Sequence, residues 1–125
     1  MENLIYKNEV YELLACVWKF TISWVHGFLE IVYKDAIEIE FLDNQMKYER
    51  EKEFAFNYKG RTLNRKFNAD FFVMDKIILE VKATREGISN EYITQTLNYL
   101  KASDCKLALI VNFGKSSLEY KRLVF

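Results

Sequence analysis

The chain has no proline and only four glycines in 125 residues, so no stretch is typical of a linker or a low-complexity tail. Cys16 and Cys105 are too few for a disulfide framework or a zinc cluster. The single histidine, His26, excludes zinc sites built on paired histidines and a histidine pair for acid–base catalysis. Any chemistry must therefore use carboxylates, lysine and a hard cation.

Net charge is also lacking, because eighteen basic residues balance eighteen acidic ones. A domain that held nucleic acid by bulk charge would usually be more basic, so polyanion binding would need a local patch or a bound metal ion. The start, Met1–Leu4, lacks the basic region of a signal peptide. Charged residues interrupt the apolar stretch Leu13–Val32, which is therefore not typical of a membrane span. We expect a cytoplasmic protein with no membrane partner.

Half of the residues are hydrophobic, and the length suits one domain that spans residues 1–125. Helical spacing predicts a helix over residues 5–20, with an apolar stripe of Val10, Leu13, Leu14, Val17 and Phe20. Residue patterns predict the later elements as a helix from Gly27 to about Leu42, strands Tyr48–Tyr58, Leu63–Met74 and Ile77–Ala83, a helix over about 91–102, and strands Leu107–Asn112 and Leu118–Val124. This order predicts an α/β (α+β) fold with helices packed on a mixed sheet.

Asp70, Glu80 and Lys82 carry the chemistry that the sequence offers. Glu80 and Lys82 share one face of their strand, because side chains alternate with period two. Asp70 and Glu80 are equidistant from a turn at Asp75, so we expect them to lie opposite each other in a hairpin. Two carboxylates can hold Mg²⁺, and a lysine beside them can orient a water molecule or offset negative charge. A cross-strand salt bridge of Lys82 with either carboxylate is the structural alternative.

Three further residues have both a functional and a structural interpretation. Glu30 belongs to the run Gly27-Phe28-Leu29-Glu30-Ile31-Val32-Tyr33. With Gly27 as N-cap, Glu30 would be the third helical residue and would satisfy free amides there. Gln95 and Tyr99 are four residues apart on one helix face, where a surface pair is the alternative to a site role.

These residues match a known family. The chain resembles the GxxExxY proteins, a branch of the PD-(D/E)XK nuclease superfamily, over nearly its whole length. The matching motifs are Gly27, Glu30 and Tyr33; Tyr58-Lys59-Gly60; Phe67-Asn68-Ala69-Asp70; Glu80-Val81-Lys82-Ala83; Gln95-Thr96-Leu97-Asn98-Tyr99-Leu100; and Val111-Asn112-Phe113-Gly114. Tyr92 stands where family members commonly carry a histidine.

The resemblance implies an αβββαβ core, flanking helices and a Mg²⁺ or Mn²⁺ site. By position, Asp70 and Glu80 resemble the metal ligands, joined by the Val81 carbonyl and by Glu30 on its helix. Lys82 resembles the catalytic lysine, and Gln95 with Tyr99 resembles a Q-x-x-x-Y motif. The expected function is metal-dependent hydrolysis of nucleic-acid phosphodiester bonds, with DNA as the expected substrate.

Two other interpretations remain open at this point. The fold could be a non-catalytic module that binds nucleic acid or a protein, as the zero net charge favours. It could also be a homo-oligomer, supported by the aromatics Trp18, Trp24, Phe28, Phe54, Phe56, Phe71 and Phe72. If the chain binds nucleic acid, the predicted phosphate contacts are the basic cluster Lys59, Arg61, Arg65 and Lys66.

Overall fold

A computed structural model describes residues 4–19 and 27–125. The elements in this part of the chain are α1 (Lys7–Lys19), α2 (Glu30–Asp43), β1 (Tyr48–Tyr58), β2 (Arg61–Val73), β3 (Ile77–Lys82), α3 (Asn90–Ser103), β4 (Leu107–Asn112) and β5 (Glu119–Val124). The predicted element order is confirmed, and β1 and β4 have the predicted bounds. Phe20 and Trp24 lie outside the described residues.

The five strands form one mixed sheet in the order β1-β2-β3-β4-β5. Only β3 and β4 are parallel, and α3 connects them. Lys59 and Gly60 form the turn between β1 and β2, and both have positive φ (50° and 73°). A two-residue hairpin turn needs positive φ at both residues to match the twist of the strands. The segment from α2 to β4 therefore has the αβββαβ order, with α1 before it and β5 after it.

Helices cover both faces of the sheet. One apolar cluster joins α1 and α2 to side chains such as Phe71, Leu79 and Leu109. The second cluster packs α3, through Leu100, against Ile78 and neighbouring side chains on the other face. Because both faces of β3 and β4 are covered, nearly all their residues are buried, as is usual for parallel pairs. A polar side chain on the central strands is therefore an exception that needs an explanation.

The start of α2 differs from the sequence-based expectation. The N-cap is Leu29, with no side-chain cap, and Glu30 is the first helical residue. Gly27 lies two residues before the cap, so the prediction that it caps the helix and that Glu30 occupies the third position was wrong. No helix in the described ranges is long and apolar enough to span a membrane.

Candidate functional site

The β2–β3 hairpin brings Asp70 and Glu80 together at one end. Its pairing runs to Phe71 opposite Leu79, which places the hairpin centre at residue 75, as the sequence predicted, and Asp70 opposite Glu80. The negative charge of Asp70 acts directly on the carboxyl group of Glu80. We call this pair the carboxylate centre.

Asp70 lies at an irregularity in the sheet. Asp70 is not among the paired residues where β2 pairs with β1, nor among those where β2 pairs with β3. The β1–β2 register places it opposite Glu51, whose φ of 55° is in the left-handed region. Ala69 and Phe71 pack on opposite faces, although residues two apart in a regular strand share a face. The side chain of Asp70 instead bonds β3 directly, because its Oδ2 accepts a hydrogen bond from the Val81 amide at 2.7 Å.

Glu80 is a buried carboxyl group on a central strand. The residue is only 5% exposed, and its Oε1 has no hydrogen-bond partner among the described residues. Burial, followed by the negative charge of Asp70, raises the pKa of Glu80 to about 9, while Lys82 opposes the rise. In this state Glu80 holds a proton at neutral pH. Two close carboxylates raise the pKa of one of them, and here the rise falls on Glu80.

Lys34 of α2 completes the centre, although sequence reasoning did not identify it. The residue is 6% exposed, and its Nζ lies 3.0 Å from Asp70 Oδ1. It also forms a close ion pair with Glu51. Burial lowers the pKa of Lys34, but the hydrogen bonds to Glu51 and Asp70 outweigh burial and the pKa is raised. A buried ammonium therefore shares its positive charge between Asp70 and Glu51.

Glu30 starts α2 on the side of the carboxylate centre. Burial of its carboxyl group is the largest cause of a raised pKa, Lys82 opposes the rise, and Asp70 adds to it. These interactions place Glu30 within electrostatic range of the centre, although the residue as a whole keeps contact with solvent.

Tyr33 holds the segment that leads into Glu30. The backbone amides of Gly27 and Phe28 donate hydrogen bonds to the Tyr33 hydroxyl, at 3.1 and 3.3 Å. The Tyr33 ring stacks on Phe113, with centroids 4.5 Å apart. Gly27 has a φ of 116° with open space around it, so backbone conformation rather than crowding favours glycine there. The G-x-x-E-x-x-Y pattern thus orients the first turn of α2.

Lys82 is half-buried on β3, on the same face as Glu80. Its Nζ lies 4.4 Å from the centroid of the Tyr92 ring, a cation–π contact that holds the ammonium beside α3. Among the described residues Lys82 forms no ion pair within 4 Å of a carboxylate, so the predicted alternative of a cross-strand salt bridge with Asp70 or Glu80 is wrong. Asp70 pairs with Lys34 instead.

Gln95 and Tyr99 line a groove between β1 and α3. Burial raises the pKa of Tyr99, and the charges of Glu80 and Asp70 add to it, which shows that its hydroxyl lies within electrostatic range of the centre. The Tyr99 ring stacks on Phe67, with centroids 4.0 Å apart. The groove has a volume of about 840 Å³, and its lining includes Phe56 and Asn57 of β1 and Asn90, Thr94, Gln95, Asn98 and Tyr99 of α3.

The predicted phosphate contacts lie on the exposed β1–β2 hairpin. Lys66 is engaged in an ion pair with Glu53 at 3.1 Å, and Lys59 lies over the Tyr58 ring. Arg61 and Arg65 are exposed, and the described part of the chain offers them no ion pair. The hairpin therefore has free positive charge mainly at its two arginines.

Comparisons with known proteins identify the family and the fold of the chain. A family model described as the PD-(D/E)XK nuclease superfamily matches residues 7–123. The chain belongs to the PD-(D/E)XK nuclease superfamily. A crystal structure titled "Crystal structure of SSO0001" superposes with a TM-score of 0.61 at 20% identity, which shows similarity of fold; the match covers 95% of this chain and 59% of that one. A comparison with curated proteins found no match.

The superfamily implies a divalent metal ion, and the residues present fit one that takes two carboxylates and keeps several waters. The described residues contain no group of three or more His, Cys, Asp or Glu side chains placed to hold a metal together. Mg²⁺, however, commonly uses one or two carboxylates and keeps several waters. The unpartnered Oε1 of Glu80 beside Asp70 supplies such a pair, since a buried carboxylate oxygen without a partner is costly unless a cation or proton satisfies it.

The residues that sequence reasoning missed are Lys34 and Glu51. Lys34 follows Glu30 by four positions, so helical spacing alone places it on the same face and could have drawn attention to it. Glu51 is one of several charged residues along β1, and only the left-handed backbone at that position distinguishes it. Neither signal says that Lys34 contacts both Glu51 and Asp70.

Proposed function

We propose that this PD-(D/E)XK domain is a nuclease that hydrolyses nucleic-acid phosphodiester bonds with Mg²⁺ or Mn²⁺, and that DNA is its substrate. The observation that carries the proposal is the carboxylate centre, where the unpartnered Oε1 of Glu80 lies beside Asp70 and Lys82 lies on the same strand face. Apolar residues would stabilise a fold better than a buried pair of acids, so a requirement for a cation is the simplest explanation for the pair.

Each side chain has a proposed role. Asp70 and Glu80 would hold the metal ion, with Glu30 and the Val81 carbonyl completing its coordination directly or through water. A bound divalent ion supplies positive charge to the phosphate and an activated water. Lys82 would orient that water and offset negative charge that develops on the phosphate.

The nucleic acid would lie along the hairpin and α3. Gln95 and Tyr99 would position the phosphate backbone, since both line the groove between β1 and α3 and the charges of Glu80 and Asp70 act on Tyr99. Lys59, Arg61, Arg65 and Lys66 would contact phosphates further along the strand. These contacts would be local, which is compatible with a chain of zero net charge.

The decisive experiment compares Asp70→Asn with a matched control, Asp75→Asn. Asp75 is an exposed aspartate of the β2–β3 turn, paired with Lys47. We expect wild type and Asp75→Asn to bind Mn²⁺ by calorimetry and to nick plasmid at low salt in Mg²⁺, and Asp70→Asn to do neither. Cleavage that survives in Asp70→Asn would contradict the assignment of the centre.

A non-catalytic nucleic-acid- or protein-binding module is the second candidate. It is favoured by the state of the centre in the structure, because Lys34 pairs with Asp70 and a raised pKa keeps Glu80 protonated. Such a centre has a cationic partner without metal. Binding of oligonucleotides without cleavage in any divalent metal would decide for this candidate.

Three narrower assignments accompany the proposal. The Tyr33 hydroxyl accepts hydrogen bonds from the Gly27 and Phe28 amides, a contact that we call the Tyr33 latch. This latch supports membership of the GxxExxY branch. Ile39 and Leu42 are exposed on α2 and support a homo-oligomer, which sedimentation with and without DNA would test. The two cysteines are free thiols, in keeping with a reducing cytoplasmic location.

A further inference from the structure

We propose that the Lys34 ammonium occupies the cation position beside Asp70 and competes with the divalent metal ion for that carboxylate. The inference rests on the proposed metal-dependent function and adds that Lys34 limits how tightly the metal ion binds. Lys34 would keep the centre assembled without metal, and metal would bind fully only as Lys34 leaves Asp70.

Both oxygens of Asp70 already have partners. Oδ2 accepts the Val81 amide at 2.7 Å, and Oδ1 accepts Lys34 Nζ at 3.0 Å. Metal–carboxylate bonds are about 2.1 Å long for Mg²⁺, so an ion on Oδ1 would stand no more than about 5 Å from the ammonium. A charge that close opposes a dication even where the effective dielectric is high.

Lys34 also has an alternative partner. Its ammonium contacts the Glu51 carboxylate, which comes from β1 rather than from the carboxylate centre. Glu51 keeps a half-exposed side chain on a backbone with a φ of 55°. Lys34 can therefore give up Asp70 and remain paired, so its displacement does not leave a buried charge uncompensated.

A purely structural role for Lys34 makes the opposite forecast. If the lysine only orients Asp70, its removal disorders a metal ligand and weakens metal binding. If it competes, its removal leaves Asp70 free and adds net negative charge, so metal binding strengthens. The sign of the change in affinity separates the two roles.

The experiment measures Mn²⁺ binding to the whole chain by calorimetry, with bound Mn²⁺ counted by electron paramagnetic resonance. Wild type is compared with Lys34→Met and with the control Lys47→Met, since Lys47 also pairs with an aspartate, Asp75, but at an exposed turn. We expect the dissociation constant of Lys34→Met to fall roughly tenfold or more, because a charge at about 5 Å is removed, and that of Lys47→Met to stay within about twofold, as for exposed pairs.

The outcomes distinguish this inference from the proposed function. Equal or weaker Mn²⁺ binding by Lys34→Met overturns the competition while leaving the nuclease proposal intact. Absence of Mn²⁺ binding in all three proteins overturns the metal-dependent function and this inference with it. Should Lys34→Met fail to fold, judged by circular dichroism, Lys34→Gln removes the charge with a polar side chain and is held to the same expectation.

Discussion

At the scale of single residues, Glu80 carries the largest electrostatic consequence of the fold. Its carboxyl group is buried beside Asp70, and its pKa is raised from 4.5 to about 9, mainly by burial. Between these two values the folded chain holds a proton that the unfolded chain releases. Stability without metal must therefore fall as the pH rises from about 4.5 to about 9.

This dependence predicts the behaviour of Glu80→Gln in the presence of a chelator. Glutamine keeps the shape of the protonated carboxyl and cannot ionise, so the variant should lack the decline. We expect its melting temperature to exceed that of wild type increasingly above pH 7, by about 4 °C for each kcal/mol of difference. Thermal melts across pH 5–9 measure it. The exposed Glu49→Gln is the control, and parallel profiles for Glu80→Gln and wild type would contradict the prediction.

Residue-scale prediction from the sequence succeeded where one hairpin determines geometry. Asp70 and Glu80 are opposed because both are five residues from Asp75 on strands that pair locally. Lys34 could not be placed in this way, because its contact with Asp70 spans 36 positions and depends on how α2 packs across the sheet. Such a contact is set by tertiary packing, which periodicity does not encode.

At the scale of elements, residue patterns predicted the bounds of β1 and β4, while the start of α2 was misplaced. The sequence predicted that Gly27 caps the helix. In the structure Gly27 instead has a positive φ, and the amides of Gly27 and Phe28 donate hydrogen bonds to the Tyr33 hydroxyl. The latch spans six positions, so no local capping rule detects it. Its effect is to fix the backbone that leads into the first turn of α2, where Glu30 lies.

The latch predicts a specific effect of Tyr33→Phe. The ring can still stack on Phe113, but two amides lose their acceptor, at a cost of about 1–2 kcal/mol. We expect a moderate loss of stability in urea unfolding, together with weaker Mn²⁺ binding than wild type, because Glu30 is less well positioned. Tyr48→Phe, which removes a hydroxyl bonded to Glu38, is the control and should leave Mn²⁺ binding unchanged. Equal Mn²⁺ binding by both variants would separate the latch from the site.

The loop after β3 depends on a close approach that only glycine permits. A Cβ on Gly114 would lie 2.3 Å from backbone atoms of Thr84. The buried Asn112 locks the same contact, accepting from the Thr84 and Gly114 amides and donating to the Thr84 carbonyl. These contacts fix the chain at Thr84, two residues after Lys82. The motif Val111-Asn112-Phe113-Gly114 therefore supports the end of β3 that carries Glu80 and Lys82.

Gly114→Ala should therefore be severely destabilising, by about 3 kcal/mol or more, because backbone rather than a flexible side chain must move. Gly60→Ala provides the comparison, since its Cβ would meet open space and only the left-handed conformation is strained, at roughly 1–2 kcal/mol. Urea unfolding measures both. Similar losses for the two variants would show that the Thr84 contact relaxes easily.

At the scale of the whole molecule, charge is arranged locally against a net charge of zero. The carboxylate centre is paired with a lysine, Lys34, and many of the surface charges form ion pairs with each other. The unpaired arginines Arg61 and Arg65 on the hairpin are exceptions. They stand on the sheet edge formed by β1 and β2, on the same side of the sheet order as the groove between β1 and α3.

This arrangement predicts that nucleic-acid binding depends on a few phosphate contacts on the hairpin rather than on overall charge. Replacing Arg61 and Arg65 together by glutamine should lower affinity for duplex DNA at low salt. The slope of log affinity against log salt should also become shallower, by about 0.9 for each phosphate that is no longer neutralised.

The control Lys121→Gln removes an exposed charge from β5, on the opposite edge of the sheet. Fluorescence anisotropy in chelator measures binding without cleavage. Because metal is absent, Asp70→Asn should keep the wild-type slope, which separates substrate binding from the carboxylate centre. If the arginine and Lys121 variants changed the slope equally, bulk charge would be holding the nucleic acid and the hairpin would have no special part in recognition.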